Sequence, residues 1–209
     1  MFSFLKPSKA AIQRGLEIAR DLPLSYGIEL NTEYGPESLR VPAGFVCDHK
    51  RTEIGHGIEA FHAARAAFLK WLQFDLGWVR VANPEASIEP GQIVAVEAQA
   101  LGLWSVNFSR ILYTIDEPTR FGFGYGTTPM HIERGEERFL LEFFPKSEAV
   151  YYDLLAVSQP ANFLARLGFP YTRSRQRRFA IESHRQMRQA VLESHAETRS
   201  ENGGPCLYF

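Results

Sequence analysis

Cysteine is scarce in this 209-residue chain: Cys47 and Cys206 are the only two, too few and too widely separated for a disulfide framework. A reduced environment is the default for such a chain, and the expected location is cytoplasmic. Charge of one sign is scarce as well. The 23 Lys and Arg nearly balance the 24 Asp and Glu, leaving a formal net charge of −1. That balance offers no overall attraction to nucleic acid or a membrane surface, and no nucleic-acid partner is expected. Long apolar runs are missing: no window approaches the roughly 20 residues that a spanning helix needs. The opening MFSFLKPSKAAIQRGL holds no continuous apolar core of signal-peptide length. Repeats, low-complexity tracts and an internal linker are also absent.

Motif chemistry is thin. His49, His56 and His62 lack H-x-x-x-H or H-E-x-x-H spacing, so neither a metal nor a cofactor is expected. Ser109, Ser158 and Ser183 stand outside any nucleophile-elbow context. Cys47 sits on an extended segment with no sequence hint of thiolate activation, and reads as structural.

What the chain does have is apolar and aromatic material. Apolar residues make up 45% and aromatics 13%, with 16 Phe, enough for a large core or an aromatic-lined cavity. A short helix is expected around Ala10–Asp21, a strand over 44–55 and a helix over about Ile58–Phe74. In that helix Phe61, Ala64, Phe68 and Trp71 form one apolar stripe. After Trp78–Val81 come five short extended runs, 92–104, 105–115, 120–127, 137–144 and 149–158, divided by turn residues. Helix resumes over Ala161–Leu167. After Gly168 and Pro170, a long helix runs from about Tyr171 to Ser194, its inner stripe Phe179, Ser183, Met187 and Val191. The expected organisation is an N-terminal extension over 1–33, one α+β domain over 34–195 and a flexible tail over 196–209. In that domain a curved antiparallel sheet wraps a long C-terminal helix, with a cavity between them.

The stretch FGFGYGTTPMHIERGEERF, residues 121–139, carries most of the interest. Gly122, Gly124 and Gly126 are spaced by two and lead into another strand, so they do not form a dinucleotide fingerprint, which needs a strand-to-helix G-x-G-x-x-G. In a strand, Phe121, Phe123 and Tyr125 share one face and the glycines leave the other bare. That bare face admits the C-terminal helix, the sheet's own curvature or a ligand. Downstream, His131 and Glu136 are candidates for acid–base work, with Glu137 facing the opposite side. The competing reading is a surface cluster of Arg134, Arg138 and the two glutamates. Residues 161–192 hold seven Arg and one acid, Glu182. This basic helix either contacts anionic lipid peripherally or presents a solvated face paired with acids at the sheet rim.

FDLGWVRV, PGQIVAVEAQALGLWSVN, FGFGYGTTPMHIERGEERF, YDLLAVSQP and RLGFPYTRSRQRRFA together resemble the domain of unknown function nineteen-ninety (DUF1990) family over about residues 34–192. The family motif falls on Tyr125, Gly126, Thr127, Pro129, His131, Gly135, Glu136 and Glu137. The resemblance implies a START-like, Bet v 1-like helix-grip fold, whose members bind apolar molecules or act on them; no catalytic role comes with it. The expected ligand-binding set is Tyr125, Gly126, Thr127, Pro129, His131, Glu136 and Glu137. The expected partner is a small apolar or amphipathic molecule, and the alternative is an enzyme that uses His131 and Glu136.

Overall fold

The computed structural model describes residues 2–28, 30–161 and 169–202. Helix α1 (Lys9–Asp21) is capped by the Ser8 side chain, which accepts from the Ala11 N–H. Strand β2 (Val46–His56) leads through Gly57, at φ +85°, into α2 (Ile58–Leu69). Next come β3 (Val79–Val81), β4 (Ile93–Ala100), β5 (Leu103–Glu117), β6 (Arg120–Thr127), β7 (Glu133–Phe144) and β8 (Ala149–Pro160). Helix α3 (Phe169–Asn202) follows. The expected helix over Ala161–Leu167 lies almost entirely outside the described residues, as do Cys206 and the last seven positions.

The strands form one antiparallel sheet in the order β2-β8-β7-β6-β5-β4-β3, and β1 (Phe2–Ser3) pairs with β5 off that path. Strands β4 to β8 are a meander. The link from β2 through α2 to β3 therefore crosses from one sheet edge to the other. Register shifts between Glu53 and Gly55 and between Ile111 and Tyr113 bend the sheet. A side chain at Gly55 would press on Ala60 and Val191, so this glycine lets α2 and α3 meet over β2. The α+β architecture expected from the element order, a curved antiparallel sheet around a long C-terminal helix, is the one observed, and it is the helix-grip arrangement that the resemblance implied.

The hollow is filled by the residues that the periodicities marked. Phe61, Ala64 and Phe68 from α2, Trp71 just after it, and Met187 and Val191 from α3 meet Phe121, Phe123, Phe139, Leu141 and Tyr152 of the sheet. Phe123 and Phe139 stack with centroids 5.1 Å apart, and Phe68 meets Tyr152 edge-on at 5.4 Å. Two expectations needed correction. The helix expected to reach Phe74 stops at Leu69, because Trp71 adopts a left-handed conformation at φ +58° and a 3-10 turn covers Leu72–Phe74. The strand boundary expected at Trp104 lies at Leu101-Gly102 instead. Both have positive φ, +51° and +76°, the geometry of a tight hairpin that follows strand twist.

Candidate functional site

The inner face of α3 changes character along its length. Ser183 near its middle and Met187 and Val191 beyond it are buried against the core. Thr172, Gln176 and Ala180 of the preceding turns are smaller or polar, and they do not fill the hollow. A cavity of about 470 Å³ remains there, beneath the first turns of α3. Phe74, Trp78, Val96, Leu154, Phe179 and Ala180 form its apolar side. Its polar side comes mainly from β6 and β7, with Tyr125, Thr127, Glu133 and Glu137, joined by Asn107, Ser158 and Gln176.

Strand alternation decides which carboxylates reach this space. Tyr125 pairs with Glu137 and Gly126 with Glu136 across β6 and β7. Cross-strand partners share a face, so Glu137 follows Tyr125 inward and Glu136 follows Gly126 outward. The Tyr125 hydroxyl donates to Glu137 Oε2 at 2.6 Å. Two residues further along the same face is Gly135, then Glu133, whose Oε1 accepts from Gln176 Nε2 at 2.6 Å. Gly135 has φ +151°, and a side chain there would overlap the backbone of Val157 and Ser158.

Burial pushes Glu137 up to about 7, against the lowering effect of the Tyr125 hydrogen bond. Glu133 is likewise pushed up to about 7 by burial, offset in part by Gln176 and Arg173. Both keep accessible surface although protein surrounds them, because that surface faces the cavity. The Tyr125 phenol is held well above its ordinary range by burial and by Glu137.

The sequence-expected pair His131 and Glu136 is not assembled. His131 lies in the turn before β7, where its Nδ1 accepts from the Glu133 backbone N–H at 3.0 Å. Burial lowers its pKa to about 4, so the ring is neutral at physiological pH. Neither His131 nor Pro129 is among the cavity-lining residues. Glu136 is among the lining residues, but its carboxylate serves the outer face. Tyr26 donates to Oε1 at 2.8 Å and Thr32 to Oε2 at 3.0 Å, while Tyr113 donates to the Thr32 hydroxyl at 2.8 Å. Gly126 also faces outward, beneath the Tyr26 hydroxyl and Leu24, and a side chain at Gly124 would overlap Tyr113. The bare glycine face therefore accommodates neither α3 nor a ligand: Tyr113 covers it at Gly124, Tyr26 and Leu24 of the N-terminal segment cover it at Gly126, and at Gly122 the curved sheet brings the β7 backbone of Phe139 and Leu140 close. Thr127 lines the cavity, and its hydroxyl meets Ser25 Oγ at 2.6 Å and accepts from the Gly135 N–H at 2.9 Å.

Three arginines in the first turns of α3 find partners. Arg173 is held by Asp48, Arg175 lies 3.7 Å from the Trp78 ring centroid and donates to the Gln99 carbonyl, and Arg178 pairs with Glu182. Arg138, read from sequence as a surface residue, is buried and donates to Asp153 at 2.9 Å. Cys47 is exposed on β2, and partial burial of its sulfur together with Asp48 raises its thiol pKa, so its surroundings do not activate it. Among the described residues no group of three or more His, Cys, Asp or Glu is arranged to hold a metal ion, and no helix is long and apolar enough to cross a membrane.

Sequence reasoning missed Glu133, Asn107, Gln176 and Trp78 as cavity residues. Glu133 was hidden because β7 was expected to begin at 137. With the strand started at 133, period two places Glu133, Gly135 and Glu137 on one side.

Comparison with known proteins agrees with this architecture. A family described as a domain of unknown function, DUF1990, matches residues 31–186. A UPF0548 protein of Dictyostelium discoideum is 33% identical over 211 residues, covering 91% of this chain and 96% of the relative. Another UPF0548 protein, from Deinococcus radiodurans, is 34% identical over 191 residues, covering 86% and 93%. Among solved structures, the Zhui aromatase/cyclase from Streptomyces superposes with a TM-score of 0.51 at 12% identity, over 77% of this chain and 99% of that one. Ara h 8.0201 superposes at 0.48 with 14% identity, over 72% and 99%. The chain belongs to the DUF1990 family and has the Bet v 1-like, START-like helix-grip fold.

Proposed function

We propose that this protein binds a small apolar or amphipathic molecule in the cavity between its sheet and α3, and that it does so as a cytoplasmic protein. One observation carries the reading. A space of about 470 Å³, walled on one side by Phe74, Trp78, Leu154 and Phe179 and on the other by a few polar groups, has the size and mixed lining of a small-molecule site. The same lining would be hard to account for as packing alone, since a tightly packed core leaves few voids larger than a water molecule.

The test uses prodan, a neutral fluorophore whose emission shifts to the blue in apolar surroundings. Wild-type protein should bind it with one-to-one stoichiometry and quench Trp78. Ala156→Trp, which projects into the cavity beside Glu137 from the paired strand β8, should weaken binding by about tenfold or more, the loss of roughly one buried apolar group. Ala180→Trp narrows the site from the helix side and guards against misfolding of the first variant. If prodan does not bind wild type and organic extraction recovers no co-purified molecule, the binding reading falls.

A further inference from the structure

Two buried carboxyl groups, Glu133 and Glu137, border the cavity, and the cations nearby are exposed, engaged elsewhere or without effect on Glu137. Glu137 has Oε2 taken by Tyr125, and Glu133 has Oε1 taken by Gln176. Among the described residues no donor reaches Glu137 Oε1 or Glu133 Oε2. Neither atom is sealed in an apolar core; both carboxyl groups border empty space. Protein atoms surround them on all other sides, so each has lost most of its contact with water. The usual remedy for such a carboxylate is a neighbouring cation.

The chain supplies little of that. Arg173, the cation that acts on Glu133, is bound through both guanidinium ends by Asp48, which itself adds negative charge near both glutamates. Arg175 is stacked on Trp78, Arg177 is exposed, and Lys50, which also borders the cavity, is not among the groups that act on Glu133 or Glu137. His49 donates to or accepts from Asp153 at 2.8 Å. Among the described residues no basic side chain contacts Glu137. The cavity thus combines an aromatic side with an uncompensated acidic side.

We propose, on the basis that this cavity is a ligand site, that its ligand carries a protonated amine on an aromatic or apolar body, with the amine seated against Glu137 and Glu133 reinforcing it along the same wall. The body fills the space beside Phe74, Trp78 and Phe179. Ammonium N–H groups complete the open oxygen of Glu137 with a charge-assisted hydrogen bond, stronger than the bond a neutral hydroxyl would make there. A carboxylate ligand, the commonest alternative charged amphipath, meets like charge and is rejected. The elevated pKa values of Glu137 and Glu133 in the unliganded protein are what an acidic wall without its counter-ion should show.

Three naphthalenes of nearly equal size test the chemistry: 2-(1-naphthyl)ethylamine, 2-(1-naphthyl)ethanol and 1-naphthylacetate. Each is titrated into the full chain at pH 7.5 by calorimetry and by displacement of prodan. The amine should bind about tenfold or more tightly than the alcohol, with the acid weakest. Glu137→Gln should erase the preference for the amine while leaving the alcohol's affinity within about threefold, and Glu133→Gln should reduce the preference partially. Prodan binding by each variant reports that its cavity is intact. Equal affinity of amine and alcohol, tightest binding of the acid, or an amine preference that survives in Glu137→Gln overturns the proposal. If prodan binds but none of the three naphthalenes does, the amine proposal falls and the binding reading stands. If nothing binds, both fall.

Discussion

Glu137 shows how a single side chain is tuned by its strand position. Its carboxyl is held at about 7 because burial opposes ionisation more strongly than the Tyr125 hydroxyl favours it. In the unfolded chain the same group ionises near 4.5. Between those values the folded state binds more protons than the unfolded one, so stability falls as pH rises from about 4.5 to about 7. Glu137→Gln removes that cost. The variant should be more stable than wild type at pH 8 by about 1–2 kcal/mol, with the difference vanishing near pH 4.5, as read by urea denaturation at both pH values. His131 behaves oppositely. Its pKa of about 4 in the fold means that its contribution is complete above about 6.5 and is lost as pH falls toward 4.

Glu136 belongs to a different account, although it is adjacent in sequence. Its two oxygens are satisfied by Tyr26 and Thr32, and both glutamate and donors are buried. Glu136→Ala strands two buried hydroxyls and should lower stability by about 1–3 kcal/mol. It should also speed amide exchange in residues 24–32 without changing prodan affinity, which separates this outward carboxylate from the inward one.

At the scale of elements, β6 is held between two unlike partners. Its inward face supplies Phe121, Phe123 and Tyr125 to the core and cavity, and its outward glycines give room to Tyr113 and Tyr26. Substitution at Gly126 therefore acts on the N-terminal segment rather than on the ligand site. Gly126→Val should displace Tyr26, expose the segment to limited proteolysis and lower the melting temperature, while the cavity keeps its lining. Helix α3 has the same duality along its axis. Its C-terminal half packs against α2 and β2 through Met187 and Val191, and its first turns roof the cavity through Gln176 and Phe179. Met187→Ala, at a fully buried position, should cost about 2–5 kcal/mol in stability. Gln176→Ala should leave stability almost unchanged and raise the Glu133 pKa further, measurable by carbon-detected NMR titration, since it removes the hydrogen bond that lowers it.

For the whole molecule, the meander fills the sheet from β4 to β8 and leaves β2 and β3 as edges, with α2 spanning between them and α3 closing the hollow. A ligand bound only by the folded state adds stability by mass action. At a hundredfold excess over Kd this is about 2.7 kcal/mol, or a rise of about 5–10 °C in melting temperature for a chain of this size. Thermal scans of wild type with the amine and the alcohol should rank in the same order as their affinities.

The amino-acid sequence by itself determined the element types and their order, because helix and strand periodicities are local. The stripes Phe61, Ala64, Phe68, Trp71 and Phe179, Ser183, Met187, Val191, and the alternation of Phe121, Phe123 and Tyr125, are written into spacings of three to four and of two. These marked the core faces and, with the element order, the helix-grip architecture. Which carboxylate enters the cavity was decided only by tertiary structure. Glu136 and Glu137 are equivalent in composition and adjacent in sequence; the pairing of Tyr125 with Glu137 separates them, and strand register is a non-local property. The same holds for the N-terminal segment, whose Tyr26 and Thr32 meet Glu136 across more than a hundred residues. No local pattern in residues 24–32 indicates that partner, because the contact exists only once the sheet has curved and turned its glycine face outward.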